Sequence, residues 1–286
     1  MASLVKKAAA LRIRALSLAG EMKSGSFRSL YRGRGIEFSG VREYVLGDDV
    51  RTIDWNVTAR MGRPFVKVFQ EERELSIVLL LDFSRSMGAF GGARPLQSAL
   101  EAASLLALAA DYAGCPVGAV FFAGNLLFSC PPRFGAVMEL LARIDSLGSR
   151  PQRERGTALP DALTLAFRLL KRRSLVFVFS DFRVSRWERP LAVLASKHDV
   201  AAVRVTSPLD ARLPPLGRVR FRDPETGLTQ GLPTSSRRFR AEWGGQGESR
   251  RERWHGECRA GRAFPLELPA GEDPFVLLSR FFRNVR

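Results

Sequence analysis

Ile77-Val78-Leu79-Leu80-Leu81-Asp82-Phe83-Ser84-Arg85-Ser86-Met87 is the stretch on which the fold turns. Its continuous apolar run, residues 76–81 with Ser76 as the lead-in, is short for a buried helix and suits a strand covered on both faces. The run stops on a carboxylate, and a loop of small residues follows. A second wholly apolar run, residues 175–179, ends in the same way on Ser180-Asp181. Around these two, residues 96–112 place Leu96, Leu100, Ala103 and Ala107 on one helical stripe, and residues 117–123 and 126–129 read as strands around Gly124-Asn125. Residues 134–147, 159–171 and 187–197 read as helices, and residues 200–205 as a further strand. Strands alternating with helices of this length predict an α/β fold: a Rossmann-like, open, mostly parallel sheet with helices on both faces.

Outward from this core, residues 1–22 carry Leu4, Ala8, Leu11, Ala15 and Leu18 at helical spacing among basic residues. That pattern predicts an amphipathic helix docked on its own domain. Residues 25–60 read as turn-rich and polar, with Asp48 or Asp49 as N-cap of a short segment over 50–55. Residues 65–70 alternate like a strand. Beyond Ser207 the texture changes to proline and glycine. A hairpin of residues 219–221 and 228–232 is expected against the main sheet, irregular or helical surface structure over 241–261, and a closing helix over 275–282. Three regions result: an N-terminal extension (1–75) packed on the main domain, the core (76–206), and a C-terminal hairpin and helical extension (207–286).

Composition narrows the functions. The chain has 286 residues, 45% apolar and 26% charged, too apolar for disorder. No run of about 18 uninterrupted apolar residues exists to cross a membrane. Lys6, Lys7, Arg12 and Arg14 interrupt the N-terminal apolar residues, so no cleavable signal is expected. Three cysteines without a C-x-x-C pair fit a reducing, cytoplasmic compartment and no structural zinc. Two histidines leave few candidates for a Ser-His-Asp triad. The net charge of +16 is spread almost evenly, with excesses of five, six and five over residues 1–75, 76–204 and 205–286. No localised track for nucleic acid emerges from it.

In an open parallel sheet the ligand site lies beyond the carboxyl ends of the strands, where strand order reverses. Asp82, Ser84 and Ser86 come from one tight loop there, Asp181 from another, and Thr157 from a third, just ahead of a helix. Carboxylates and hydroxyls are what a hard divalent cation such as magnesium accepts. Simple capping, of the following turn by Ser84 and Ser86 and of a helix by Asp181, is the competing reading.

The same five residues resemble the metal-ion-dependent adhesion site of von Willebrand factor type A domains: Asp-x-Ser-x-Ser, then Thr, then Asp. A wider match lies in Gly35-Ile36-Glu37-Phe38, Val41-Arg42-Glu43-Tyr44, Gly47-Asp48-Asp49-Val50-Arg51, Ile53-Asp54-Trp55 and Ala59-Arg60. Together with Leu81-Asp82-Phe83-Ser84, Ser180-Asp181-Phe182, His198-Asp199-Val200, Leu213-Pro214 and Asp223-Pro224-Glu225-Thr226-Gly227, these resemble the bacterial family called domain of unknown function 58. Ser207-Pro208 departs from that family's usual Asp-Pro. The resemblance implies a von Willebrand factor type A-like core and a role as adaptor or cofactor of a MoxR-type AAA+ ATPase. Many members carry N-terminal membrane helices, which have no counterpart in this sequence.

The expected function is a non-catalytic, metal-dependent protein-interaction module. Magnesium, or manganese, bound by Asp82, Ser84, Ser86, Thr157 and Asp181 keeps one position for an acidic side chain of the ATPase or its client. Arg85, Arg153 and Arg155 favour an acidic partner. The alternatives are a phosphoryl-transfer hydrolase using the same carboxylates, as in haloacid-dehalogenase-like hydrolases, which need a second Asp two residues after the nucleophile where residue 84 is serine, and a basic nucleic-acid binder. Asp48, Asp49 and Asp54 interleaved with Arg42, Arg51 and Arg60 suggest an ion-pair network with Trp55 buried beneath it, or else a partner surface. His198 is expected to be a hydrogen-bonded structural histidine.

Overall fold

The computed structural model describes residues 4–24, 32–72, 75–88, 94–150, 156–222 and 228–284. In chain order its elements begin with α1 (Leu4–Ser24), β1 (Arg32–Glu43), α2 (Trp55–Met61), β2 (Phe65–Glu72), β3 (Ile77–Asp82), α3 (Pro95–Ala113), β4 (Val117–Phe122), β5 (Leu126–Arg133) and α4 (Val137–Gly148). They continue with α5 (Leu159–Leu169), β6 (Leu175–Ser180), α6 (Glu188–Ala195), β7 (Asp199–Thr206), α7 (Pro208–Ala211), β8 (Arg218–Arg222), β9 (Thr229–Pro233), α8 (Arg237–Ala260), β10 (Phe264–Pro269) and α9 (Pro274–Asn284).

Six strands form one sheet in the order β10-β7-β6-β3-β4-β5. All neighbours are parallel except β5, which runs antiparallel to β4 at one edge. The unbroken apolar runs are explained by burial on both faces. Ile77, Leu79 and Leu81 of β3 join a core with Ala15 and Leu18 of α1, the small face of α3, Leu140 and Ile144 of α4, and Leu278 and Phe282 of α9. Val78 and Leu80 point the other way, into a second core with Ala162 and Leu163 of α5, Leu191 and Leu194 of α6, and Trp254 and Cys258 of α8. Strand alternation alone sorts these residues to the two sides. The amphipathic N-terminal helix therefore docks on its own fold, through Ala15, Leu18, Ala19 and Met22.

Several expectations need correction. Residues 32–43, read as turns, form β1, paired antiparallel with β2 in a separate two-stranded sheet whose register shifts at Gly40. A bulge of this kind breaks the alternation by which strands are recognised. β10 escaped the sequence reading because Pro265 and Pro269 interrupt it; as an edge strand it tolerates them. It extends the main sheet from beyond residue 206. The β8–β9 hairpin stands as its own sheet, outside the hydrogen bonding of the main one, and meets α8, with the Phe221 and Trp243 rings 6.2 Å apart. Residues 241–261, expected as irregular or helical, lie almost wholly within the continuous helix α8. Glycine suits one of its turns, because a Cβ at Gly247 would lie 2.5 Å from the Asp210 carbonyl oxygen of α7.

The polar residues around α2 organise that segment locally. Arg42 grips Asp48 through two bonds of 2.6 Å, which with the Val45 amide holds the Asp48 carboxyl down at about 2. Asp54 accepts from the amides of Asn56 and Val57 and so caps α2. Trp55, however, is 70% exposed rather than buried, because the seven-residue α2 buries none of its side chains. His198 is buried, yet neither ring nitrogen has a hydrogen-bond partner among the described residues. Burial lowers its pKa and keeps the imidazole neutral.

Candidate functional site

From β3 the chain moves outward to β4 and β5, then returns to β6 on the opposite side of β3. The strand order therefore reverses between β3 and β6, and a crevice opens beyond their carboxyl ends. Asp82 closes β3 and Asp181 follows β6, so both carboxylates stand at this switch point. The loop preceding α5 brings Thr157 to the same place.

Asp82 is 1% exposed and fully engaged. Its Oδ1 accepts from the Ser84 amide at 2.8 Å, while its Oδ2 accepts from the hydroxyls of Ser180 at 2.7 Å and Thr157 at 3.0 Å. The Ser84 and Ser86 hydroxyls are 3.0 Å apart, and Ser86 bonds the Asp181 carboxylate. All five predicted residues converge. Capping is part of the picture but not all of it: Asp181 lies well ahead of α6 and caps no helix, and Ser84 precedes the short 3-10 turn Arg85–Met87 without a side-chain capping bond. Arg153 and Arg155 lie outside the described residues, as does the Asp223–Gly227 motif.

Electrostatics mark the pair. Burial, and then the neighbouring Asp181, push the Asp82 carboxyl up to about 7, against the bonds from Ser84 and Ser180. Asp181 is likewise raised by burial, although Arg183 and Ser86 pull it down. Its Oδ1 accepts from the Arg183 amide at 3.1 Å. Its buried Oδ2 has no hydrogen-bond partner among the described residues, and the Arg183 Nε stays 3.8 Å away. Two buried carboxylates, one oxygen of them orphaned, and three hydroxyls form an oxygen-only donor set suited to a hard divalent cation. Among the described residues no three His, Cys, Asp or Glu side chains gather, so the hydroxyls are needed to complete such a site.

Three contributors escaped the sequence reading. Ser180 links the loops by donating to Asp82 and accepting from the Phe182 amide at 3.2 Å. Its place at the last position of an apolar strand was the available signal. Arg183 partners Asp181 and Asp210, and only its spacing two residues after Asp181 hinted at this. Between them Phe182 takes φ 53°, a region costly for a side-chain-bearing residue. Its ring is held by Trp187 and Trp254, at 5.1 and 5.7 Å between centroids.

A mostly parallel α/β sheet with paired carboxylates at its switch point is the class that fold and site define. The family model for "protein of unknown function DUF58" matches residues 40–253, and the chain belongs to that family. It is 34% identical over 233 residues to the uncharacterized protein Rv1480 of Mycobacterium tuberculosis, spanning 79% of this chain and 73% of that protein. Mb1516 of Mycobacterium bovis matches to the same extent. A crystal structure of an aerotolerance-related membrane protein from Bacteroides fragilis is similar with a TM-score of 0.45 and 20% identity, covering 72% of this chain and 96% of that one. Among the described residues no helix is long and apolar enough to cross a membrane.

Proposed function

We propose that the chain is a non-catalytic protein-interaction module with a von Willebrand factor type A-like core, whose adhesion depends on a divalent cation at Asp82, Ser84, Ser86, Thr157 and Asp181. The observation that carries this reading is the buried Asp82–Asp181 pair with its orphaned Oδ2, a concentration of oxygen ligands that a 2+ charge would relieve. Magnesium is the first choice and manganese the second. The cation supplies a fixed positive charge to which one carboxylate of a partner binds. The chain's own residues orient it: Ser180 and the Ser84 amide hold Asp82, and Arg183 steadies Asp181. The partner proposed, on the family resemblance, is a MoxR-type AAA+ ATPase or its client.

Serine at position 84 is what argues against the hydrolase reading, since a second Asp would be needed there to deliver the proton. The test is calorimetric titration of magnesium into wild type and Asp181→Asn. Wild type is expected to bind one ion and the variant none; equal affinity would remove Asp181 from the site. Turnover of p-nitrophenyl phosphate that disappears with Asp82→Ala would overturn the non-catalytic assignment.

A further inference from the structure

Beside the candidate metal loops lies a cavity of about 460 Å³ whose wall includes Asp181 and Arg183 from the β6 loop, Arg204 from β7, and Arg250, Arg253 and Trp254 from α8. That volume lies within the range of sites for small ligands, room for an acidic side chain or two. Arg204 is the unusual member. It is only 8% exposed, and a buried guanidinium is ordinarily paired. Here it has no hydrogen bond or ion pair among the described residues; its one partner is the face of Trp254, 5.7 Å away.

Sheet register explains both its place and its isolation. Ser180 on β6 lies beside Arg204 on β7, which lies beside Glu267 on β10. Ser180 in turn donates to Asp82, so one rung joins the metal loops to Arg204. Glu267 is the natural counter-ion, but Arg251 and His255 both bond its Oε1 at 2.6 Å. Burial lowers the Arg204 pKa, and Arg183 and Arg250 push the same way against Glu267 and Asp210. Arg183 is taken up by Asp210, whereas Arg250 and Arg253 form no ion pair among the described residues. Glu188 and Glu257 also line the cavity, so with Asp181 three carboxylates face four arginines; the arginines without an ion pair among the described residues are Arg204, Arg250 and Arg253.

We infer that this cleft is the second anchor for an acidic segment of a protein partner: one carboxylate completes the cation held by the Asp82 loops, and a neighbouring carboxylate is taken by Arg204, Arg250 and Arg253. The inference rests on the adhesion reading above and adds the partner's chemistry, two acidic groups rather than one. Guanidinium groups match carboxylates in geometry, and the cavity shares Asp181 with the metal loops, so a single ligand reaches both.

The full chain is titrated with a capped tetraglutamate peptide, with and without magnesium, following tryptophan fluorescence because Trp187 and Trp254 line the cleft. A separate arm uses inorganic pyrophosphate. Wild type is expected to bind the peptide with magnesium. Arg250→Ala/Arg253→Ala, on an exposed helix face, is expected to weaken it about tenfold or more while keeping its magnesium affinity. Arg204→Met is expected to do the same, and the double variant keeps the question answerable if that protein does not fold. Peptide affinity equal to wild type in the arginine variants, with binding lost in Asp82→Ala, overturns the cleft and leaves the metal reading standing. The converse result overturns the metal reading alone. Binding of pyrophosphate but not of the peptide overturns the acidic-segment occupant.

Discussion

If Asp82 and Asp181 form a cation site, metal-free protein should lose stability as pH rises. The Asp82 carboxyl titrates at about 7 in the folded chain against an ordinary 3.8. Between those values the folded protein holds a proton that the unfolded chain has released, so stability present at low pH is lost as pH climbs toward 7. Fully developed, the difference is about 4 kcal/mol, a large fraction of the 5–15 kcal/mol typical of a domain. Asp48 acts in another window: its carboxyl is depressed to about 2, so its contribution is lost only as pH falls below the ordinary 3.8. His198 opposes the slope, because its lowered pKa costs stability as pH falls below 6.5. The quantity to compare is therefore wild type against Asp181→Asn, in which His198 is unchanged.

The assay is urea unfolding of metal-free protein at intervals from pH 4.5 to 7.5, repeated with saturating magnesium. Wild type should lose more stability than Asp181→Asn across that range, because the variant lacks the neighbouring charge, while burial of Asp82, the larger cause, keeps a slope of the same sign in both proteins. Magnesium should restore stability to wild type near pH 7.5, by about 2.7 kcal/mol at a hundredfold excess over Kd, and leave the variant unmoved. Identical pH slopes for the two proteins, together with no magnesium effect, would refute the reasoning.

Three further outcomes test the packing. Phe282 is fully buried, with ring centroids 6.1 Å from Phe177 and 5.3 Å from Phe281; Phe282→Ala should cost about 3–5 kcal/mol in urea unfolding if α9 belongs to the core. Gly256→Ala, with open space around the new methyl group, should stabilise α8 by up to about 1 kcal/mol, whereas Gly247→Ala should destabilise it through the clash with Asp210; equal effects would show that α8 does not pass close to α7. Trp55→Ala should change the unfolding free energy by less than about 0.5 kcal/mol, and a loss above about 2 kcal/mol would show that Trp55 is packed.

The parallel strands were legible because burial on both faces leaves an unbroken apolar run, and β3 and β6 have no other reading at that length. The strands that were missed depend on partners. β1 is held by β2 through an interrupted register, and β10 by a parallel neighbour that lets an edge strand keep its prolines. Trp55 was misplaced for a related reason. Its hydrophobicity argued for burial, but the caps and ion pairs around it are satisfied inside a short surface segment and never carry the ring to the core.

For the candidate site the division falls between spacing and convergence. Asp82, Ser84 and Ser86 share one turn, and Asp181 directly follows an equivalent strand, so local chemistry and strand ends sufficed to bring them forward. Ser180 and Arg204 are different, because each alone reads as an ordinary strand residue. They gain meaning from a sheet order that places β7 beside β6 and β6 beside β3, and from an alternation that turns Asp82, Ser180 and Arg204 toward the same face. Arg250 and Arg253 arrive from more than 40 positions further along the chain, on a helix that the sequence left undecided. A carboxylate pair can be recognised from its residues, but the arginines that would select its partner become a set only when the fold closes over them.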